Sequence, residues 1–315
     1  MRRVLFTGLG SIGSRHLRLL RERDEAFEVH AYRSGSSDTS TPEGVIEHTD
    51  LEAALEANPD IAFVTNPTAK HVQTATACAK TGCDLFVEKP LSHTLSNVDK
   101  LITVAEERDL VTKVGCQLRF HPVLQRVRTV LNRGTIGKVF SFRAYAGSYL
   151  PDWRPEQDYR DSYSADSALG GGVVLDLIHE IDYCYWLFGD VAGVRAWTGQ
   201  VSDLEIRSED LAELIIETES ETVGQIHLDY YRPEPRRTLE ITGREGLLRA
   251  DLNDQTVRYT TQDGETRDTF DVNRDDVFRA QLDDFLANVR SREPADNDLR
   301  EAKEVLGIAL NAKGV

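Results

Sequence analysis

Close to its start the chain carries Gly8-Leu9-Gly10-Ser11-Ile12-Gly13, after the short apolar run at 4–7 and at the head of a helical pattern of Ile12, His16, Leu17, Leu19 and Leu20. Few folds accommodate three glycines in that spacing between a strand and a helix. The first permits a tight turn, the second lets the backbone approach a pyrophosphate, and the third allows close helix–strand packing. The helix start then offers free N–H groups and a partial positive charge to phosphates. Gly8, Gly10, Ser11, Ile12 and Gly13 are therefore expected to bind a dinucleotide; a glycine-rich turn that has lost its cofactor is the alternative.

The second strand, at 27–32, ends Ala31-Tyr32-Arg33-Ser34. NAD-binding versions usually place a carboxylate about 20 residues after the glycines to hold the ribose hydroxyls. None stands there, so Arg33 and Ser34 are expected to take a 2′-phosphate, with NADP preferred over NAD. A solvated arginine in a loop is the competing account.

Beyond this unit, strand patterns at 60–64, 85–87 and 111–115 alternate with helical patterns at 51–56, 69–81 and 95–108. Such alternation implies an α/β fold, a doubly wound parallel sheet covered on both faces. After residue 119 the grammar changes. A helix at 122–133, a strand at 138–149 and a helix from the glycine run to about 188 precede strand-like runs at 193–199, 209–218, 222–231, 237–243, 247–252 and 255–261. This order suggests an α+β domain, an antiparallel sheet with helices on one face. Helices near 275–290 and 297–312 close the chain. With 315 residues the chain is long for one core. Two domains are expected, 1–118 and 119–315, the last helix packing back onto the first.

Charge and composition exclude several partners. A net charge of −16 leaves no basic footprint for nucleic acid. Only eight of the 37 basic residues are lysines. A hydrated, acidic, lysine-poor surface fits a salt-rich cytoplasm. No apolar run reaches the roughly 18 residues of a membrane span, and Gly8 and Gly10 interrupt the start before it could serve as a signal peptide. A cytoplasmic protein is expected. Cys78, Cys83, Cys116 and Cys184 are scattered with no CxxC pair, which argues for small buried residues and no metal site.

Four further stretches stand in a telling order: Asn66-Pro67-Thr68 with His71, Glu88-Lys89-Pro90, Gly170-Gly171-Gly172 through Asp176 and His179, and Ile241-Thr242-Gly243. With the glycine loop they make nearly the whole chain resemble the glucose-fructose oxidoreductase / inositol dehydrogenase / MocA family. The resemblance implies a Rossmann domain followed by an open-faced antiparallel sheet, a face used for oligomer contacts and so for a homodimer or homotetramer. It also implies hydride transfer between nicotinamide and a sugar or polyol carbon. One departure is visible: the family pattern more commonly places the histidine four residues after the aspartate, whereas here Asp176 and His179 are three apart.

The residue types suit those roles. Lys89 follows a strand end, the edge where open α/β sheets bind ligands, and a partly desolvated lysine can polarise a reacting hydroxyl. Asp176 and His179, three apart on an expected helix, share a face. The histidine suits acid–base work and the aspartate can position a hydroxyl, unless the two merely brace the helix. Asn66, Pro67, His71 and Glu88 are expected to border the cofactor together with Lys89 and Gln117, or to form a structural turn. Arg119 and His121 open the second domain, where Arg119 binds an anionic group or braces the junction. Tyr149, Trp153, Arg154, Tyr159, Arg160 and Tyr163 make an aromatic, arginine-rich loop. Aromatic faces stack on sugars or bases and arginines clamp carboxylates or phosphates, so a nucleotide-linked or carboxylated sugar is the expected substrate. The rivals are an ordinary packed loop and, for the whole chain, a non-catalytic nucleotide sensor.

Overall fold

The structure, a computed structural model, describes residues 1–33 and 40–314; the expectation for Ser34 falls outside them. In chain order its first elements are β1 (Arg2–Phe6), α1 (Ser11–Arg21), β2 (Phe27–Tyr32), β3 (Val45–His48), α2 (Leu51–Glu56), β4 (Ile61–Val64), α3 (His71–Lys80), β5 (Asp84–Val87), α4 (Val98–Glu107) and β6 (Thr112–Val114). The strands pair in parallel in the order β3-β2-β1-β4-β5-β6. β4 and β5 are buried at every position, as uninterrupted apolar runs require when both faces are covered. The phenyl rings of Phe6 and Phe63 stack at 4.8 Å, and those of Phe63 and Phe86 at 5.1 Å.

The strand order reverses between β1 and β4, the switch point where such sheets bind ligands. The loops leaving these two strands touch: Thr65 Oγ1 donates to the Gly8 carbonyl at 2.7 Å. β3 has no counterpart in the sequence reading. It has four residues, two of them exposed, at the sheet edge, so it carries neither an apolar run nor an alternation.

The second set comprises α5 (Pro122–Asn132), β7 (Val139–Gly147), α6 (Val173–Asp176), α7 (His179–Phe188), β8 (Val191–Gly199), β9 (Leu211–Thr218), β10 (Val223–Asp229), β11 (Arg236–Gly243), β12 (Gly246–Asp251), β13 (Thr256–Thr261) and β14 (Gly264–Thr269). The sheet order is β14-β13-β12-β11-β7-β10-β9-β8. It is antiparallel except that β10 runs parallel to β7. A wholly antiparallel sheet was expected. The long excursion between β7 and β10 gives the chain room to return in the same direction. Along β9, Ala212, Leu214, Ile216 and Thr218 are buried while Ile215 is 55% exposed. One face of this sheet therefore packs under α5, α6 and α7, and the other carries exposed side chains such as Trp197 and Ile215. The single helix expected through Asp176 and His179 is two pieces, interrupted at Leu177 and Ile178. β14, all polar and largely exposed, was not anticipated.

The chain ends with α8 (Arg274–Ser291) and α9 (Leu299–Lys313). By compactness it divides into Met1–Cys116 with Arg274–Glu304, and Gln117–Asn273 with Val305–Val315. This differs from the expected contiguous second domain, because α8 returns to the first unit. Its Phe278, Leu282, Phe285, Leu286 and Val289 join the core built by Phe6, Phe63, Phe86 and α1. No helix among the described residues is long and apolar enough to cross a membrane.

Candidate active site

In the first unit the chemistry-bearing residues gather on the loops that leave β1, β4 and β5. Gly8 has φ +145° and its added Cβ would come 3.1 Å from the Thr65 carbonyl; at Gly13 a Cβ would lie 2.1 Å from the Gly8 carbonyl. Both glycines are imposed by the protein's own packing. Gly10 differs: a Cβ there would meet no atom within 4 Å. Gly10 is also the N-cap of α1 and supplies no side-chain cap, and the first turn holds no acidic residue. Open space over an uncapped helix start is what a pyrophosphate needs, so the residues present fit a dinucleotide.

Beside this turn, Asn66 Nδ2 donates to Thr74 Oγ1 at 2.8 Å, and its buried Oδ1 has no partner among the described residues. Pro67 is exposed at the head of the short turn Thr68–Lys70. His71 departs from expectation. It is buried, with Nδ1 2.9 Å from the Pro90 carbonyl and Nε2 2.8 Å from the Asn66 carbonyl. Burial pushes its pKa down, while the two carbonyls and the Glu88 charge favour the protonated ring. Its polar atoms thus tie two loops together. Glu88 likewise turns its carboxylate to buried His16 at 2.6 Å. Lys89 is half-buried.

Arg33 has a carboxylate partner within its own unit. Its guanidinium is 9% exposed and pairs with Glu47 Oε2 of β3 at 3.1 Å. Glu47 thus places a carboxylate beside the end of β2 from the neighbouring strand, one without a signal in the sequence.

In the second unit Asp176 is the centre of a hydroxyl network. It is 4% exposed, and Tyr230 donates to its Oδ2 at 2.6 Å. Tyr163 also hydrogen-bonds it; burial and the Asp176 charge hold both phenols well above the usual tyrosine pKa. The Trp153 ring stands edge-on to Tyr230 at 5.3 Å, and Arg154 lies over Tyr163 at 5.3 Å. Trp153 Nε1 donates to Ser148 Oγ at 2.8 Å. The glycine run shapes this region: Gly172, at φ +115°, lies against the Glu209 carboxylate, and Gly171 against the carbonyls of Tyr163 and Asp166. His179, 5% exposed, starts α7 just after the helix break.

Other loop residues do not join this network. Arg160 bonds Asp158 and Glu205, each at 2.6 Å, so its charge is already met. Arg119 is 2% exposed and clamps Asp182 through two bonds of 2.9 and 2.6 Å. The guanidinium is thus engaged by a carboxylate of its own unit. His121 caps α5, its Nδ1 accepting from the Val123 amide at 3.2 Å, and burial with the Arg237 cation lowers its pKa to about 4. Gln117 begins the turn Gln117–Phe120, and Tyr149 is exposed before the turn Leu150–Trp153. Tyr159 accepts from the Glu205 amide at 3.3 Å.

Sequence reasoning missed His16, Glu47 and Tyr230. A histidine in the apolar stripe of a helix carries a signal, since a buried polar group needs a partner. Glu47 and Tyr230 carry none, because their importance comes from partners distant in sequence, Arg33 and Asp176.

Comparison with known proteins gives the family. Residues 2–116 match the oxidoreductase family with an NAD-binding Rossmann fold, and residues 124–249 match the GFO/IDH/MocA C-terminal domain. The chain belongs to the GFO/IDH/MocA oxidoreductase family. It is a nicotinamide-dependent oxidoreductase. It is 28% identical to myo-inositol 2-dehydrogenase of Thermotoga maritima, over 99% of this chain and 95% of that one. It is 26% identical to UDP-N-acetylglucosamine 3-dehydrogenase of Acidithiobacillus ferrooxidans, over 82% and 80%. The structure of levoglucosan dehydrogenase with NADH matches its fold at a TM-score of 0.86, covering 99% of this chain and 97% of that one, at 16% identity. These relatives lend no support to the non-catalytic sensor.

Proposed function

We propose that this enzyme moves hydride between NAD and a hydroxyl-bearing carbon of a sugar or polyol, nucleotide sugars included. The observation that carries the substrate class is Asp176, a buried carboxylate oriented by two phenols beside Trp153. Such a carboxylate accepts hydrogen bonds from sugar hydroxyls, and the indole covers an apolar sugar face. The relatives named for inositol, an amino-sugar nucleotide and levoglucosan support the same class. The paired state of Arg160 weakens the case for a carboxylated substrate.

Gly8, Gly10, Ser11, Ile12 and Gly13 would hold the pyrophosphate, with Asn66 and Pro67 alongside. The nicotinamide, when bound, accepts or donates the hydride at its C4. In the oxidation direction the substrate carbon loses that hydride and its oxygen loses a proton, leaving a carbonyl. Lys89 polarises the oxygen, His179 takes the proton and Asp176 fixes the neighbouring hydroxyls. Retention of all three speaks for catalysis, since a sensor needs none of them. NAD is preferred over NADP because the Arg33 guanidinium already faces Glu47, whose charge repels a 2′-phosphate.

The open face of the second sheet, with Trp197 52% and Ile215 55% exposed, supports a homodimer or homotetramer formed there. The acidic, lysine-poor composition supports a salt-rich cytoplasm. The test is a spectrophotometric screen of NAD and NADP reduction over free sugars, inositols and nucleotide sugars, with and without molar KCl. Turnover with NAD and a polyhydroxylated substrate is expected. Turnover with none of these substrates sinks the reading.

A further inference from the structure

Lys89 leaves β5 on a segment whose two flanking residues are each fastened by a buried imidazole. On one side Glu88, 6% exposed, has its Oε1 2.6 Å from Nε2 of His16, which is 0% exposed. The other oxygen of that carboxylate accepts from the Lys89 amide at 3.3 Å. On the other side the Pro90 carbonyl lies 2.9 Å from Nδ1 of His71, whose Nε2 reaches the Asn66 carbonyl at 2.8 Å. Space is reserved for the arrangement, since a Cβ at Gly115 would come within 3.0 Å of Glu88 Oε1.

The His16 ring lies among Phe86, Phe63 and Phe278, with centroids at 4.9, 5.7 and 5.7 Å. Its Nδ1 has no partner among the described residues, so the bond to Glu88 is the polar contact that orients the ring. A buried acid–imidazole pair in an aromatic core adds little to stability compared with apolar residues of equal size. Its effect is geometric and electrostatic, and it falls on the residue next to Glu88.

We propose that His16 is a positioning residue for Lys89: it engages the Glu88 carboxylate and fixes the backbone that carries the lysine. His71 fixes the Pro90 side in the same manner. The catalytic meaning rests on the role given to Lys89 above, but the arrangement of the amine can be read without any substrate.

The full chain has eight lysines, few enough to follow individually after reductive ¹³C-methylation by NMR. The Lys89 signal is the one absent from Lys89→Arg. In His16→Phe, which retains a ring but no donor, the Lys89 titration midpoint should rise by ~0.5 pH unit or more as the freed carboxylate turns to the amine. The other seven signals should stay in place. His16→Gln, which restores an N–H near the same position, should return the native midpoint. Affinity for NADH should change less than about twofold, while kcat on any substrate found falls at least ~10-fold in His16→Phe alone. Should His16→Phe fail to fold, Glu88→Gln keeps the shape and removes the charge, and the Lys89 midpoint should then fall. A Lys89 midpoint unmoved in the folded variants, or moved equally by His16→Phe and His16→Gln, overturns the proposal. A moved midpoint in a protein that oxidises no sugar or polyol upholds the positioning and rejects the catalytic role of Lys89.

Discussion

The glycine turn of the first unit and the Asp176 network of the second build their binding groups from different material. The turn relies on backbone: N–H groups at the start of α1, and glycines whose absent side chains make room. The network relies on side chains delivered by separate elements, with Tyr230 donating to Asp176 across 54 positions of sequence. A cofactor shared by many enzymes can be held by groups every residue possesses. A particular substrate needs particular side chains, so the second arrangement is assembled from residues distant in sequence.

The sharpest way to break that contrast is to remove one group from each side. Lys89→Met should lower kcat by about 10²–10⁴-fold and leave NADH binding, read by fluorescence, nearly unchanged. An equal loss of NADH affinity would make Lys89 part of the cofactor site. The glycines give the next largest effect. Gly13→Ala places a methyl 2.1 Å from the Gly8 carbonyl and should destabilise the first unit, whereas Gly10→Ala meets nothing within 4 Å and should leave the melting temperature alone. Calorimetry with and without NADH separates them, because Gly10→Ala should abolish stabilisation by the cofactor.

On the side-chain face of the comparison, Tyr230→Phe removes one of the two phenol bonds to Asp176. It should raise KM for substrate about 10-fold while kcat with saturating substrate and NADH affinity change little, consistent with a bond to a charged group of about 1.5–3 kcal/mol. Glu47→Gln addresses cofactor choice. Freeing the Arg33 guanidinium from its carboxylate should shift the ratio of kcat/KM for NADP over NAD upward by about 5–10-fold, measured with one substrate. The smallest effect concerns pH. His121 has its pKa lowered from 6.5 to about 4 in the folded protein, so the unfolded chain binds more protons between those values. The second unit should lose stability as pH falls through that window, as the α5 cap must give up its Nδ1 lone pair to a proton. His121→Asn should flatten the pH dependence of denaturant unfolding there; a slope unchanged from the native protein would refute the assignment.

Much of the architecture was legible because it is written in local periodicity. β4, β5 and α1 announce themselves by apolar runs and stripes, and β8 to β13 by alternation between turns. The glycine run at 170–172 also stood out, although the reason for it, the Glu209 carboxylate beside Gly172, is a contact 37 residues away. β3 and β14 were silent because edge strands bury too little to leave an apolar signature. The helix break after Asp176 was hidden too, since every residue from 171 to 184 is buried and offers no periodicity to interrupt.

The sequence by itself determined the parallel sheet, the glycine turn, the strand-end lysine and the family, since each depends on residues adjacent in the chain or repeated at a fixed period. Only the tertiary structure decided how the charges are used. Arg33 meets Glu47, Glu88 meets His16, Arg119 meets Asp182 and Asp176 meets Tyr230. A buried charge is settled by whichever partner the fold brings within hydrogen-bond reach, and spacing along the chain does not encode that distance.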